Sequence, residues 1–196
     1  MIQVDTLIEI AVSLNKTISS KDRYRHFLNS IKKVIPCEAA SIMVLDKSEF
    51  KLVSSFGLSE KAKFKKYIIN DEPRLKIICE SNDPIIFPAD SKLKDPFDHL
   101  LGEDEQSPGH VHACMGCPLT VKNKLVGVLT ADSKNVGAFD NIDHKFLKLL
   151  GELAGSALNI STMVDQLEEQ NEKQKNLSTE LMKVAKERAG DLLGNS

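Results

Sequence analysis

The 196-residue chain has no surplus of positive charge: 26 Lys and Arg face 28 Asp and Glu, for a formal charge of -2. Without such a surplus there is little to neutralise a phosphate backbone, and direct nucleic-acid binding by this chain is not expected. No apolar run approaches the ~20 residues that a membrane span requires. The N-terminal stretch MIQVDTLIEIAV carries acids where a secretory signal would place basic residues. A cytoplasmic location with no membrane contact is the expectation. Cysteine is scarce, at four residues. Without a secretory signal these are expected as reduced thiols, ligands or core residues rather than as a disulfide framework. Nucleophile elbow, P-loop, dinucleotide fingerprint and zincin motif are all missing, as are internal repeats, so sequence motifs give catalysis no support. What is present is ordinary: 41% hydrophobic and 28% charged residues, the balance of a folded domain with an appendage.

Periodicity supplies the elements. Val4, Leu7, Ile8, Ala11, Val12 and Leu14 predict one helix, and Phe27, Leu28, Ile31, Val34 and Ile35 a second that ends before Pro36. Residues 39–45 and 51–56 read as strands joined by the polar turn Asp46-Lys47-Ser48. Pro73 opens a short helix to Cys79, Asn82-Asp83-Pro84 breaks it, and residues 85–87 form a brief strand. The connection 88–109 is long for a compact domain, a length that commonly carries function. Residues 112–121 and 125–132 predict a second hairpin around Lys122-Asn123-Lys124. From about Asp140, Phe146, Leu147, Leu150, Leu153, Ala157 and Leu158 define an apolar helical face, which thins through Met163, Val164, Leu167, Leu177, Leu181 and Val184. Beyond Gln166 the helix is too polar to be held by its own core. It reads as a linker or a dimeric coiled coil, or as a solvated tail, since Asn171 and Gln174 interrupt the seam. Helices, two antiparallel hairpins and a closing helix give an α+β fold.

Three groups of residues could carry chemistry. Asp95-Pro96-Phe97-Asp98 sets two acids three apart, on one face if Pro96 opens a helical turn. Such a pair can chelate a cation or simply be solvated. His110-Val111-His112-Ala113-Cys114-Met115-Gly116-Cys117 concentrates nitrogen and sulfur donors at a strand start. Alternation places His110, His112 and Cys114 on one face and Cys117 on the other, unless Gly116 makes a bulge. Cys37, Cys79 and Cys117 are expected in the core. Asp132 ends an apolar strand, where a turn cap is the plain reading, and counting outward from Asn123 sets it opposite Cys114. A metal held by Asp95, Asp98, His112, Cys114 and Asp132 would see mixed carboxylate, imidazole and thiolate donors. That set fits neither structural zinc nor calcium and suits iron(II).

The stretches Glu72-Pro73-Arg74-Leu75, Phe87-Pro88-Ala89-Asp90-Ser91, Asp95-Pro96-Phe97-Asp98, His112-Ala113-Cys114 and Gly127-Val128-Leu129-Thr130-Ala131-Asp132 resemble, in order and spacing, the N-terminal GAF domains of NorR-type transcriptional activators. The resemblance covers roughly residues 2–172. It implies a GAF-like fold, with an antiparallel sheet flanked by helices and a long C-terminal helix. It further implies a regulatory sensor with no turnover of its own, binding one mononuclear non-haem iron(II). Nitric oxide at that iron would relieve repression of a downstream AAA+ ATPase that acts on sigma-N polymerase. Carried over, the ligands are Asp95, Asp98, His112, Cys114 and Asp132, with Arg74 beside them. Residues 1–160 would be the sensor. Residues 161–196 would be a helical linker leading to an ATPase domain absent from this chain, and a possible route to homo-oligomers. Two residues depart from the family pattern: Phe97 stands where a tyrosine is usual, and Glu80 where an arginine is. Cys114 and Cys117 also form a CxxC. The alternatives are a cysteine-based redox module, a free methionine sulfoxide reductase, or a GAF domain that binds another small ligand.

Overall fold

Two turns set the frame of the sheet. Lys122 and Asn123 both adopt left-handed backbone, φ 49° and 62°. This is the handedness a two-residue hairpin loop needs to match strand twist. The computed structural model describes residues 2–14, 20–102 and 113–193. Its elements are α1 (Ile2–Leu14), α2 (Ser20–Ile31), β1 (Ala39–Asp46), β2 (Glu49–Phe56), α3 (Lys61–Phe64), β3 (Tyr67–Ile68), α4 (Pro73–Glu80), β4 (Ile85–Phe87), β5 (Ala113–Val121), β6 (Lys124–Ser133) and α5 (His144–Leu193), with a 3-10 turn at Ile69–Asp71. The strands form one antiparallel sheet in the order β3-β2-β1-β6-β5-β4. Helices beside an antiparallel sheet confirm the expected α+β class, and the final helix is long.

Both hairpins form where the β-rich segments and polar turns predicted them, each with a shorter loop than expected, because Asp46 and Lys124 join their strands. The second helix stops at Ile31 rather than Ile35, with Val34 and Ile35 in the turn that follows. The acids of Asp95-Pro96-Phe97-Asp98 do not share a helical face. The segment is a turn, closed by the Asp98 amide on the Asp95 carbonyl at 3.3 Å. It buries Asp95 and leaves the Asp98 side chain about a third exposed.

The two faces of the sheet carry separate cores. On one, Ala40, Ile42, Met115, Cys117, Leu119, Leu129 and Ala131 pack with Ile10, Phe27, Leu28 and Ile31 of α1 and α2 and with Leu147, Leu150 and Leu158 of α5. On the other, Met43, Phe50, Cys114 and Val128 pack with Leu75 and Ile78 of α4, Tyr67, Phe87 and Phe97. Gly116 lets α4 approach the second face. A Cβ there would stand 2.1 Å from Ile78 Cδ1, so the isoleucine occupies the space a side chain would fill. The chain divides into two compact units, Met1–Asn159 and Ile160–Ser196. The second is helical to Leu193 and exposes Ile160, Met163, Leu167, Leu177 and Leu181. No helix among the described residues is long and apolar enough to cross a membrane.

Candidate metal centre

Strand register builds the centre. Cys114 of β5 pairs directly with Asp132 of β6, as counting outward from Asn123 predicts. Both lie on the face covered by α4, Cys114 1% and Asp132 0% exposed. The Asp95 turn closes over them. One oxygen of each carboxylate and the Cys114 Sγ lie within 4.8 Å of one another, and all three residues are buried. An acid closing an apolar strand is thus neither solvated nor a turn cap.

Asp95 is fully held. Its Oδ2 accepts from Arg74 Nη1 at 2.7 Å and its Oδ1 from the Phe97 amide at 2.8 Å. Arg74, 5% exposed, also donates from Nε to the Leu93 carbonyl at 3.0 Å and stacks on the Phe87 ring at 5.2 Å. It is not the loosely paired surface arginine its sequence also permitted. Asp132 is the opposite case: neither carboxylate oxygen has a hydrogen-bond partner of good geometry. The Cys114 thiol faces it closely enough to favour the ionised acid weakly, without satisfying either oxygen. A buried acceptor without a donor costs about 1–3 kcal/mol, so its presence here calls for a role.

The electrostatics follow from burial. Desolvation, then the Asp95 charge, pushes the Asp132 carboxyl well above the usual carboxylate range. Desolvation, then Asp132 and Asp95, raises the Cys114 thiol. Desolvation also raises Asp95, against the opposing pull of the Phe97 amide and Arg74. Fully ionised, three acids against one guanidinium would leave two negative charges uncompensated in a dry site. A divalent cation is the counter-charge that permits it.

Of the other expected ligands, Asp98 lies in the same turn as Asp95 but outside the cluster of three. His112, with His110, falls outside the described residues. Cys117 is on the opposite face, in the core beneath α5, where desolvation pushes its thiol up to about 12. No bulge at Gly116 turns it round. Strand-alternate cysteines on opposite sides of a sheet cannot approach for a disulfide without moving the backbone, which removes the geometric basis for a CxxC redox pair. Cys37 and Cys79 are only half-buried, at the edges of the two cores, Cys37 in the connection between α2 and β1 and Cys79 near the end of α4. Phe97, 0% exposed, sets its ring 5.5 Å from Tyr67. Glu80 is exposed at the end of α4.

Sequence reasoning missed a second charge pair beside the site, a partly exposed lysine on a buried glutamate. Lys65 Nζ lies 2.7 Å from Glu72 Oε1 and donates to the Pro96 carbonyl at 2.6 Å. It also missed a buried hydroxyl pair, Ser41 Oγ and Thr130 Oγ1 at 2.7 Å, on the same face. The sequence signal for the hydroxyls was there to read: two polar residues within apolar strands, Thr130 two positions before Asp132 and so on its face, with Ser41 paired to Thr130.

Residues 19–160 match a family model described as GAF domain. The chain is 34% identical over 168 residues to the anaerobic nitric oxide reductase transcription regulator NorR of Shigella flexneri, covering 86% of this chain and 33% of that protein. It is 31% identical over 175 residues to the regulator of the same name in Aliivibrio fischeri, covering 89% and 34%. The chain thus spans about a third of the length of these relatives. Among solved structures, the GAF domain from an Acinetobacter phosphoenolpyruvate-protein phosphotransferase superposes with a TM-score of 0.69 at 19% identity, covering 85% of this chain and 98% of that one. A free methionine-R-sulfoxide reductase from Neisseria meningitidis does so at 0.63 and 14%, covering 83% and 91%. At these identities the likeness is one of fold.

Proposed function

The chain belongs to the GAF domain family, and from that premise we propose that it is the nitric-oxide-sensing regulatory domain of a cytoplasmic transcriptional activator, holding one mononuclear non-haem iron(II). The single observation that carries the reading is Asp132, fully buried, with two unpartnered oxygens, in a cluster with Cys114 and Asp95. Two carboxylates and a thiolate form a mixed hard and soft donor set that suits iron(II) and does not suit calcium or a structural zinc site. In this reading Asp95, Cys114 and Asp132 hold the iron, Asp98 and His112 complete the set, and Arg74 orients Asp95. Iron(II) bound there supplies a coordination position at which nitric oxide binds. Similarity to the NorR regulators supports nitric oxide as the signal.

The chain's own residues do the rest. The flanking apolar side chains Phe87, Phe97 and Val128 keep water out, and Arg74 limits the repulsion among the acids. The domain turns nothing over. In the full-length activator, residues 161–196 form a helical linker that couples the site to an AAA+ ATPase acting on sigma-N polymerase. Its exposed Met163, Leu167 and Leu181 pair chains as a homo-oligomer.

The test is iron stoichiometry in single variants. Cys114→Ala and Asp132→Asn are expected to lose most of the iron bound by the unaltered chain while remaining folded. Full iron in both folded variants would overturn the ligand assignment.

A further inference from the structure

The clamp beside the site acts on one peptide group. The peptide between Pro96 and Phe97 is gripped at both ends: its N–H donates to Asp95 Oδ1 at 2.8 Å, and its carbonyl accepts from Lys65 Nζ at 2.6 Å. The same ammonium lies 2.7 Å from Glu72 Oε1 and 5.0 Å from the Tyr67 ring centroid. Glu72 is 3% exposed, and its Oε2 has no hydrogen-bond partner. Lys65 is partly exposed, whereas the Glu72 carboxylate is buried with one oxygen unsatisfied, a cost that makes the pair a poor device for stability alone. Its position is informative. Glu72 immediately precedes α4 and Arg74 lies two residues further on, so Arg74 and the Lys65–Glu72 pair converge on the Asp95 turn from the same helix end.

We propose that Lys65, held by Glu72, is a positioning residue for the metal centre: through the Pro96–Phe97 peptide it fixes the Asp95 carboxylate in its binding orientation. This rests on the iron reading above. A cation on the carbonyl polarises the peptide and strengthens hydrogen bonding by its N–H, because linked hydrogen bonds reinforce one another. Asp95 Oδ1 is thereby pinned to the turn while Arg74 pins Oδ2. Both oxygens are oriented before a metal arrives, which is what an outer layer of hydrogen-bonding groups does for a metal ligand. Lys65 also explains why the turn keeps its shape without forming a helix. Its carbonyl at Pro96 is satisfied by a side chain rather than by a following amide.

The experiment uses the whole chain, 15N-labelled and metal-free, followed by anaerobic iron(II) titration. In Lys65→Met, which keeps the aliphatic stem, the Phe97 amide proton is expected to move upfield and exchange faster with solvent. Iron(II) affinity is expected to fall by roughly 10- to 100-fold, the usual effect of losing such a partner. Lys65→Arg should restore both readouts. Glu72→Gln, which conserves volume, should reproduce the amide shift in part and serves if Lys65→Met does not fold. An unchanged Phe97 amide in a folded Lys65→Met or Glu72→Gln chain would overturn the proposal, as would an unchanged iron affinity. If the unaltered chain bound no iron, the functional reading would fall, while the amide readout would still decide whether Lys65 orients Asp95.

Discussion

Replacing Asp132 by asparagine should make the metal-free protein more stable while abolishing its metal binding. Asp132 is 0% exposed, both its oxygens lack partners, and burial raises its carboxyl well above the ordinary range. Asparagine has nearly the same shape, carries no ionisable group, and brings an amide donor toward Asp95 and Cys114. Relieving one unsatisfied buried acceptor is worth about 1–3 kcal/mol. For a chain of this size that corresponds to roughly 2–12 °C in Tm. The sign with pH follows from linkage. The folded carboxyl holds its proton to higher pH than the unfolded one, which titrates near pH ~4. The native aspartate protein therefore loses stability as pH rises above ~4 toward the raised folded value, and the asparagine protein lacks that contribution. The advantage of Asp132→Asn should be smallest at pH ~4 and grow toward neutrality. Thermal melts followed by circular dichroism, in chelator, between pH 4 and 8 measure it. A variant less stable than the parent at pH 7, or a difference flat with pH, would refute the claim that Asp132 is an uncompensated buried acid.

Three further outcomes follow from the same geometry. Gly116→Ala puts a methyl 2.1 Å from Ile78 Cδ1 and should cost about 1–3 kcal/mol by overpacking. Adding Ile78→Ala should cost less than the sum of the two single changes, and simple additivity would count against the contact with Ile78 as the cause. Ser41→Ala strands the buried Thr130 hydroxyl and should cost about 1–3 kcal/mol in urea unfolding. The pair Ser41→Ala with Thr130→Val should cost less than the sum of the two, and simple additivity would show that the hydroxyls do not depend on each other. Because burial raises both Cys114 and Asp132, divalent metal binding near neutral pH should release protons and strengthen as pH rises. Calorimetry in buffers of different ionisation enthalpy counts those protons, and a count of zero would contradict the protonated resting site.

The elements that carry the site were legible because their signals are local and strong. Counting outward from Asn123 sets Cys114 against Asp132, and the structure reaches that pairing through a two-residue turn followed by a one-residue register shift between Leu119 and Thr120, which the sequence did not show; the odd spacing of Cys114 and Cys117 puts the latter on the other face. The segment Lys61-Ala62-Lys63-Phe64-Lys65-Lys66-Tyr67-Ile68 was not legible. A four-residue helix and a two-residue strand are shorter than either period needs to declare itself. The Lys65–Glu72 pair was lost with it. The Asp95 turn was misread as a helical start because Pro96 suits both. What decides between them is the pull of Arg74 and Lys65 from distant segments, which no local pattern encodes. Gly116 read as a possible bulge, since only the seating of α4 shows that the missing side chain makes room for Ile78.

The central claim is that this buried cluster holds iron(II) and presents it to nitric oxide. Anaerobic titration of reduced, folded, metal-free protein with iron(II), followed by nitric oxide and EPR spectroscopy, tests it directly. The account predicts saturation at about one iron per chain and an EPR signal that appears only when iron and nitric oxide are both present and is lost in Cys114→Ala. Folded protein with reduced thiols that takes up no stoichiometric iron, or that binds iron and gives no signal with nitric oxide, would contradict it.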